Sequence, residues 1–188
     1  YPTEDKDSYQ LCGNLNLAMV MFDAGDIGDD KVEGMPAVNY TYDDIFQIHD
    51  FYFAGDKIEL PALERTGYTF LGWEVKVIPS DDVANYADAD AEKTLVEAGK
   101  YTITEGGAIF TAQWKINTYN VTFDSNGGSA VESQQVDYRA KVTKPAEPTR
   151  EGYHFMGWFN GDKEWNFDED TMGAGDMTLT AKWEINEY

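Results

Sequence analysis

The chain has 188 residues, 42% hydrophobic and 14% aromatic, which is enough apolar surface to bury a core in one large domain or two small ones. Its formal charge of -21, from 35 acidic against 14 basic residues, repels a phosphate backbone and sets nucleic acid aside as a partner. No run of about 18 apolar residues offers a membrane-spanning helix, and Tyr1-Pro2-Thr3-Glu4-Asp5 lacks the basic and apolar parts of a secretion signal, so any signal or anchor is expected outside these residues.

In chain order, Cys12 comes first. It is the only cysteine, so no intrachain disulfide forms. Leu15 to Phe22, broken by Asn16, suits an opening strand, and Asp23, Asp26, Asp29 and Asp30 follow in an acidic loop. Gly55 to Pro61 reads as a second strand ending at proline, ahead of Arg65-Thr66-Gly67-Tyr68-Thr69-Phe70-Leu71-Gly72-Trp73. Ser80 is placed to cap a helix over Asp81 to Ala98, stopped by Gly99. Tyr101 to Ile103 and Ile109 to Trp114 read as hairpin strands around Glu105-Gly106-Gly107.

Tyr119-Asn120-Val121-Thr122-Phe123 alternates as a half-buried strand does, and Asp124-Ser125-Asn126-Gly127-Gly128 supplies residues suited to positive φ in a turn. Pro145 and Pro148 bracket a non-helical crossing. In the next strand, period two puts Tyr153, Phe155 and Gly157 on one face and His154, Met156 and Trp158 on the other. Asp162, Asp168, Glu169 and Asp170 form a second acidic loop before a closing strand, Thr178 to Trp183.

These segments recur. Arg65 to Trp73 aligns with Arg150 to Trp158 in Arg, Gly, Tyr, Phe, Gly and Trp; Phe110 to Asn117 aligns with Leu179 to Asn186; Gly55 to Pro61 with Arg139 to Pro145; Val20 to Asp23 with Val121 to Asp124. The chain therefore holds two copies of one unit. Copy one is longer by about 16 residues at each of two places, where surface loops or added elements are expected. Ile116-Asn117-Thr118-Tyr119 is echoed by Ile185-Asn186-Glu187-Tyr188, so a third copy, or something else joined in the same way, is expected.

The repeated motif residues are Arg65, Gly67, Tyr68, Phe70, Gly72, Trp73 and Trp114 in copy one, and Arg150, Gly152, Tyr153, Phe155, Gly157, Trp158 and Trp183 in copy two. Their aromatic rings have the stacking surfaces that saccharide recognition needs, but a small disulfide-free module also depends on them for buried area, and core packing is the expected role. Gly72 and Gly157 are expected to permit a close backbone approach. Arg65 and Arg150 are expected to pair with an acidic neighbour or to satisfy loop carbonyls. Neither acidic loop has the spacing of a helix-flanked calcium loop, so solvated turns are expected and no metal is assigned. Only His49 and His154 are available, Cys12 has no partner by spacing, and no nucleophile-elbow, zinc-protease or phosphate-loop pattern occurs. No enzyme, catalytic residue or cofactor is expected.

At Val121 to Gly128, Lys144 to Trp158 and Leu179 to Trp183, copy two resembles the Listeria–Bacteroides repeat, the B-repeat of internalin B-like surface proteins, over nearly all of 118–186. Copy one resembles it at Gly-Tyr-Thr-Phe-Leu-Gly-Trp and Thr-Ala-Gln-Trp, but has Ala24-Gly25-Asp26-Ile27-Gly28 in place of the Asn-Gly-Gly turn. The resemblance implies small β-grasp-like modules repeated along bacterial cell-envelope proteins. The expectation is a β-rich α+β chain of two tandem β-grasp-like modules, 1–117 enlarged by insertions and 118–188 compact. Its expected function is that of an extracellular, non-catalytic spacer or stalk on the bacterial surface and a possible adhesion or protein-interaction unit. Its expected partners are a host or bacterial surface protein or glycan, and neighbouring repeats. The alternative is a carbohydrate-binding accessory module of a secreted enzyme.

Overall fold

The computed structural model describes residues 17–42, 46–78 and 93–187. Their contacts gather into two compact units. The first takes the described residues up to Arg65 and Thr69–Lys115; the second takes Thr66–Tyr68 and the described residues from Ile116 onward.

In chain order the strands are β1 (Leu17–Asp23), β2 (Tyr40–Tyr42), β3 (Phe46–Ile48), β4 (Asp50–Phe53), β5 (Lys57–Leu60), β6 (Tyr68–Ile78), β7 (Lys93–Val96), β8 (Gly99–Thr102) and β9 (Gly107–Ile116). They continue with β10 (Thr118–Asp124), β11 (Gln134–Asp137), β12 (Tyr153–Asn160), β13 (Lys163–Glu164) and β14 (Met177–Ile185). Two five-stranded sheets have matching orders, β4-β1-β9-β6-β7 and β11-β10-β14-β12-β13. In each, the opening strand runs parallel to the closing one, β1 with β9 and β10 with β14. Parallel neighbours need a long crossover. Both insertions of copy one fall within that crossover, where they leave the central pair intact.

Local chemistry sets the ends of the opening strands. Val121 and Phe123 alternate inward from β10, and the chain then turns with Asn126 at φ 47° and Gly127 at φ 86°. Asp124 Oδ1 accepts the Asn126 N–H at 2.9 Å, an Asx turn that holds the bend. In the first unit Asp23 Oδ1 accepts the Gly25 N–H at 2.9 Å, with Gly25 at φ 76°.

Each unit closes its own core. In the first, Trp73, Phe110, Val20 and Ile103 are sealed together; in the second, Trp158, Leu179, Val121 and Met172 are. Trp73 donates from Nε1 to the Pro61 carbonyl at 2.9 Å, whereas Trp158 Nε1 and Trp165 Nε1 are buried without a hydrogen-bond partner among the described residues.

Three expectations are corrected. The described residues are all β, so the α+β class does not hold for them: Lys93–Val96, the tail of the expected helix, is β7, pairing antiparallel with Trp73 to Lys76. Thr94 and Val96 are β-branched and cap an otherwise open edge of β6. Ser80, most of the expected helix and Cys12 lie outside the described residues. The hairpin over 101–114 is not formed, because β8 pairs with β5, Lys57 opposite Thr102 through Leu60 opposite Gly99, while β9 joins β1 in the main sheet. Finally, Trp158 does not share the face of Met156. The β12–β14 register shifts between Phe155 and Gly157, returning Trp158 to the core side. No helix among the described residues is long and apolar enough to cross a membrane.

Trp73→Ala and Trp158→Ala are each expected to cost about 3–5 kcal/mol, the scale for emptying a buried aromatic site. Amide hydrogen exchange checks this: protection should fall in β9 for the first variant and in β14 for the second.

Candidate functional site

The repeated motif is the one cluster that both units build in the same way. Its centre is a glycine at positive φ, which in β12 adjoins a shift of register between Phe155 and Gly157. Gly72 has φ 121° and Gly157 φ 143°, values that L side chains rarely adopt. At Gly72 a Cβ would run into the carbonyl oxygen of Val96 on β7, so the residue is closed to a side chain by space as well as by backbone; at Gly157 it would lie 2.9 Å from Glu164 Oε1. This glycine lets two successive large rings point inward. Phe70 and Trp73 meet with centroids 5.5 Å apart, as do Phe155 and Trp158. The second tryptophan of each motif completes the cluster, with Phe70 against Trp114 at 5.3 Å and Phe155 against Trp183 at 5.5 Å.

Trp114 and Trp183 also fasten the loop after the opening strand. Trp114 Nε1 donates to the Ala24 carbonyl and Trp183 Nε1 to the Ser125 carbonyl, both at 2.9 Å. Gly128 lies so close to Trp183 that a Cβ there would strike the indole. The motif arginine clamps the same loop. Arg65 donates from Nε at 2.9 Å and Nη2 at 2.7 Å to Asp30 Oδ2, and also to the Asp26 and Ile27 carbonyls. The side chains of Arg65 and Asp30 are only 6% and 9% exposed, so this pair is desolvated. Arg150 bonds the Asn126 carbonyl from Nη1 at 3.2 Å and lies 3.9 Å over the Tyr153 ring. Asp30, expected in a solvated acidic turn, is instead buried as the counter-charge of Arg65.

The remaining candidates resolve in the same terms. Trp73 and Trp158 are 0% and 2% exposed, so neither presents a face to a sugar. Asp170 accepts from Lys163 Nζ at 2.6 Å and from the Asn166 N–H at 2.9 Å, and these bonds hold its carboxyl below the usual aspartate range. Among the described residues no group of three or more His, Cys, Asp or Glu side chains is placed to hold a metal ion. His49 is buried and accepts the Phe22 N–H at Nδ1, 3.1 Å away, in a structural contact that sequence spacing did not signal. His154 sits on the surface beside Glu184, with Nε2 to Oε2 at 2.8 Å.

Two of the glycines, Gly67 and Gly152, share a backbone role: each has φ 78°, and the carbonyl of each accepts an N–H just past a closing strand, Asn117 to Gly67 and Asn186 to Gly152, both at 2.9 Å.

Comparison with known proteins places these features. The family model of the Listeria–Bacteroides repeat domain matches residues 119–182. A protein of Evansella cellulosilytica, whose name marks it as a membrane protein, is 38% identical over 131 residues, covering 66% of this chain and 17% of the relative. Internalin H of Listeria monocytogenes is 31% identical over 138 residues, covering 71% of this chain and 22% of its own length. The chain thus spans about a fifth of the curated relatives it matches. The Streptococcal High Identity Repeats in Tandem domains 3–4 of a cell surface protein match at 15% identity over 90% of this chain and 98% of that one, with a TM-score of 0.27.

Arg65→Ala is expected to cost about 3–5 kcal/mol, because it removes the counter-charge of the buried Asp30 carboxylate, and Arg150→Ala about 0.5–1 kcal/mol, the value of an exposed cation–π contact; urea denaturation of both variants checks the contrast. Because the folded carboxyl of Asp170 titrates below its unfolded value, it stabilises the fold above the ordinary aspartate range, and that contribution is lost as pH falls through the lowered value. Lys163→Met should move the Asp170 titration, followed by carboxyl NMR, back toward the ordinary range.

Proposed function

Residues 119–182 belong to the Listeria–Bacteroides repeat family, and from that premise we propose that the chain is a non-catalytic repeat segment of an extracellular bacterial surface protein, a spacer that carries other domains away from the envelope. We read 1–117 as the enlarged module and 118–188 as the compact one, and the mixed sheet with its parallel central pair as a β-grasp arrangement with no helix among the described residues. One observation carries this reading: the repeated side chains are consumed in building the module. Trp73 and Trp158 form the cores, Trp114 and Trp183 anchor loops, and Arg65 and Arg150 clamp them. A sequence pattern kept in two copies for architecture is what a spacer requires. The same burial weighs against a carbohydrate-binding module, which needs exposed aromatic faces.

A spacer bears load module by module. Single-molecule extension of the chain should give two separate unfolding steps of unequal length, about 25 nm for roughly 70 residues and about 40 nm for roughly 115, at about 3.5 Å per residue. One step releasing the whole chain at once would show a single indivisible core and contradict the tandem reading.

A further inference from the structure

Within the second unit, one aromatic ring is packed on a backbone position. Tyr138, at the turn after β11, lies where a side chain at Gly67 would be, so only glycine fits beneath it. Its ring meets Tyr68 edge to face, centroids 5.9 Å apart at 84°, and its N–H donates to the Asn117 carbonyl at 2.9 Å. Asn117 in turn donates to Gly67 at 2.9 Å. Gly67, Tyr68 and Asn117 thus form a socket, and Tyr138 fills it.

The same socket exists a second time. Gly152 repeats the φ of 78°, its carbonyl accepts the Asn186 N–H at 2.9 Å, and Tyr153 follows it as Tyr68 follows Gly67. No described atom lies within 4 Å of a Cβ built at Gly152. Ile185, directly opposite Tyr153 across the β12–β14 pair, is 64% exposed, against 37% for Ile116, its counterpart beside the filled socket.

The plug is specific to the compact module. Arg139 (φ 63°) and Gly55 (φ 95°) are equivalent, each donating its N–H to a crossover carbonyl, Met172 or Ile103 at 2.8 Å. The residue before Arg139 is Tyr138, and the residue before Gly55 is Ala54. The enlarged module therefore has no ring to insert.

We propose that Gly152, Tyr153, Ile185 and Asn186 form a docking socket for a further copy of the compact module, which inserts its own Tyr138 and donates that residue's N–H to the Asn186 carbonyl. One ring and one hydrogen bond cover too little area to hold a free partner, so the copy binds when it is tethered and its local concentration is high. The inference rests on the spacer reading and adds to it a joint that couples neighbouring modules.

The test appends a second copy of residues 118–187 after Glu187 and follows amide hydrogen exchange in β12 and β14 of the original module. Exchange is expected to slow about tenfold there, the scale of coupling across a small interface. Tyr138→Ala in the appended copy alone should return it to the rate of the unextended chain. Gly152→Ala, measured against the same variant without the appended copy so that its own strain at φ 78° cancels, should remove the slowing while leaving the appended copy untouched, so that it serves even if the tyrosine variant folds poorly. Equal exchange rates with and without the appended copy, or slowing that survives both substitutions, would overturn the socket. Those outcomes would leave a spacer of uncoupled modules standing, and that reading fails only on the single-step extension described above.

Discussion

Everything in the two modules depends on a glycine that puts one residue too many into a strand. In an unbroken strand, Phe155 and Trp158 would fall on opposite faces, since side chains alternate. The bulge at Gly157 brings them to the same face, where Trp158 also meets Phe123 at 4.9 Å. Phe70 and Trp73 likewise meet across Gly72, which has φ 121°, and Trp73 also meets Phe22 at 5.1 Å. A core of this size without disulfides needs large rings in contact. The bulge is the backbone feature that lets two of them, nearly adjacent in sequence, point into it.

From that common centre the two modules diverge in how their loops are held. The first uses a desolvated ion pair, Arg65 with Asp30, plus two loop carbonyls, and it seals the β6 edge with β7. The second uses a single carbonyl bond from Arg150, a ring beneath the guanidinium, and a tight Asn-Gly-Gly turn under Trp183. The same arginine therefore carries different energetic weight in the two settings. Both turns carry an Asx bond, so the difference lies in the longer acidic loop, whose buried Asp30 needs a counter-charge.

Much of this was legible in the residues. The register of the repeat, the positive-φ turn at Asn126-Gly127, and the core role of the tryptophans follow from pattern and turn chemistry. The alternative roles offered for the motif arginines are both used, an acidic partner by Arg65 and loop carbonyls by Arg65 and Arg150. What was not legible depends on long-range pairing. Lys93-Thr94-Leu95-Val96 follows an alanine- and acid-rich stretch that favours a helix, yet as β7 it completes a sheet edge that is distant in sequence. Tyr101 and Thr102 read as half of a local hairpin but pair with β5. A period-two count cannot see a bulge, so Trp158 was assigned the wrong face. Tyr138 carried no signal of its own, and the repeat marked Asn117 without showing its role, because both act through contacts that exist only once the chain is folded.

The dependence on the bulge is tested most directly by Gly157→Ala in a Glu164→Ala background, which removes the side chain that a new Cβ would press on, the Phe159 ring lying at an ordinary contact distance of 3.6 Å. With that contact gone, only the backbone conformation at φ 143° opposes the substitution. Comparing urea unfolding of the double variant with that of Glu164→Ala alone should show a loss of about 1–3 kcal/mol, the cost of holding an L residue in a glycine region, together with greater quenching of Trp158 fluorescence by solvent. Equal stability, with Trp158 still shielded, would contradict the account.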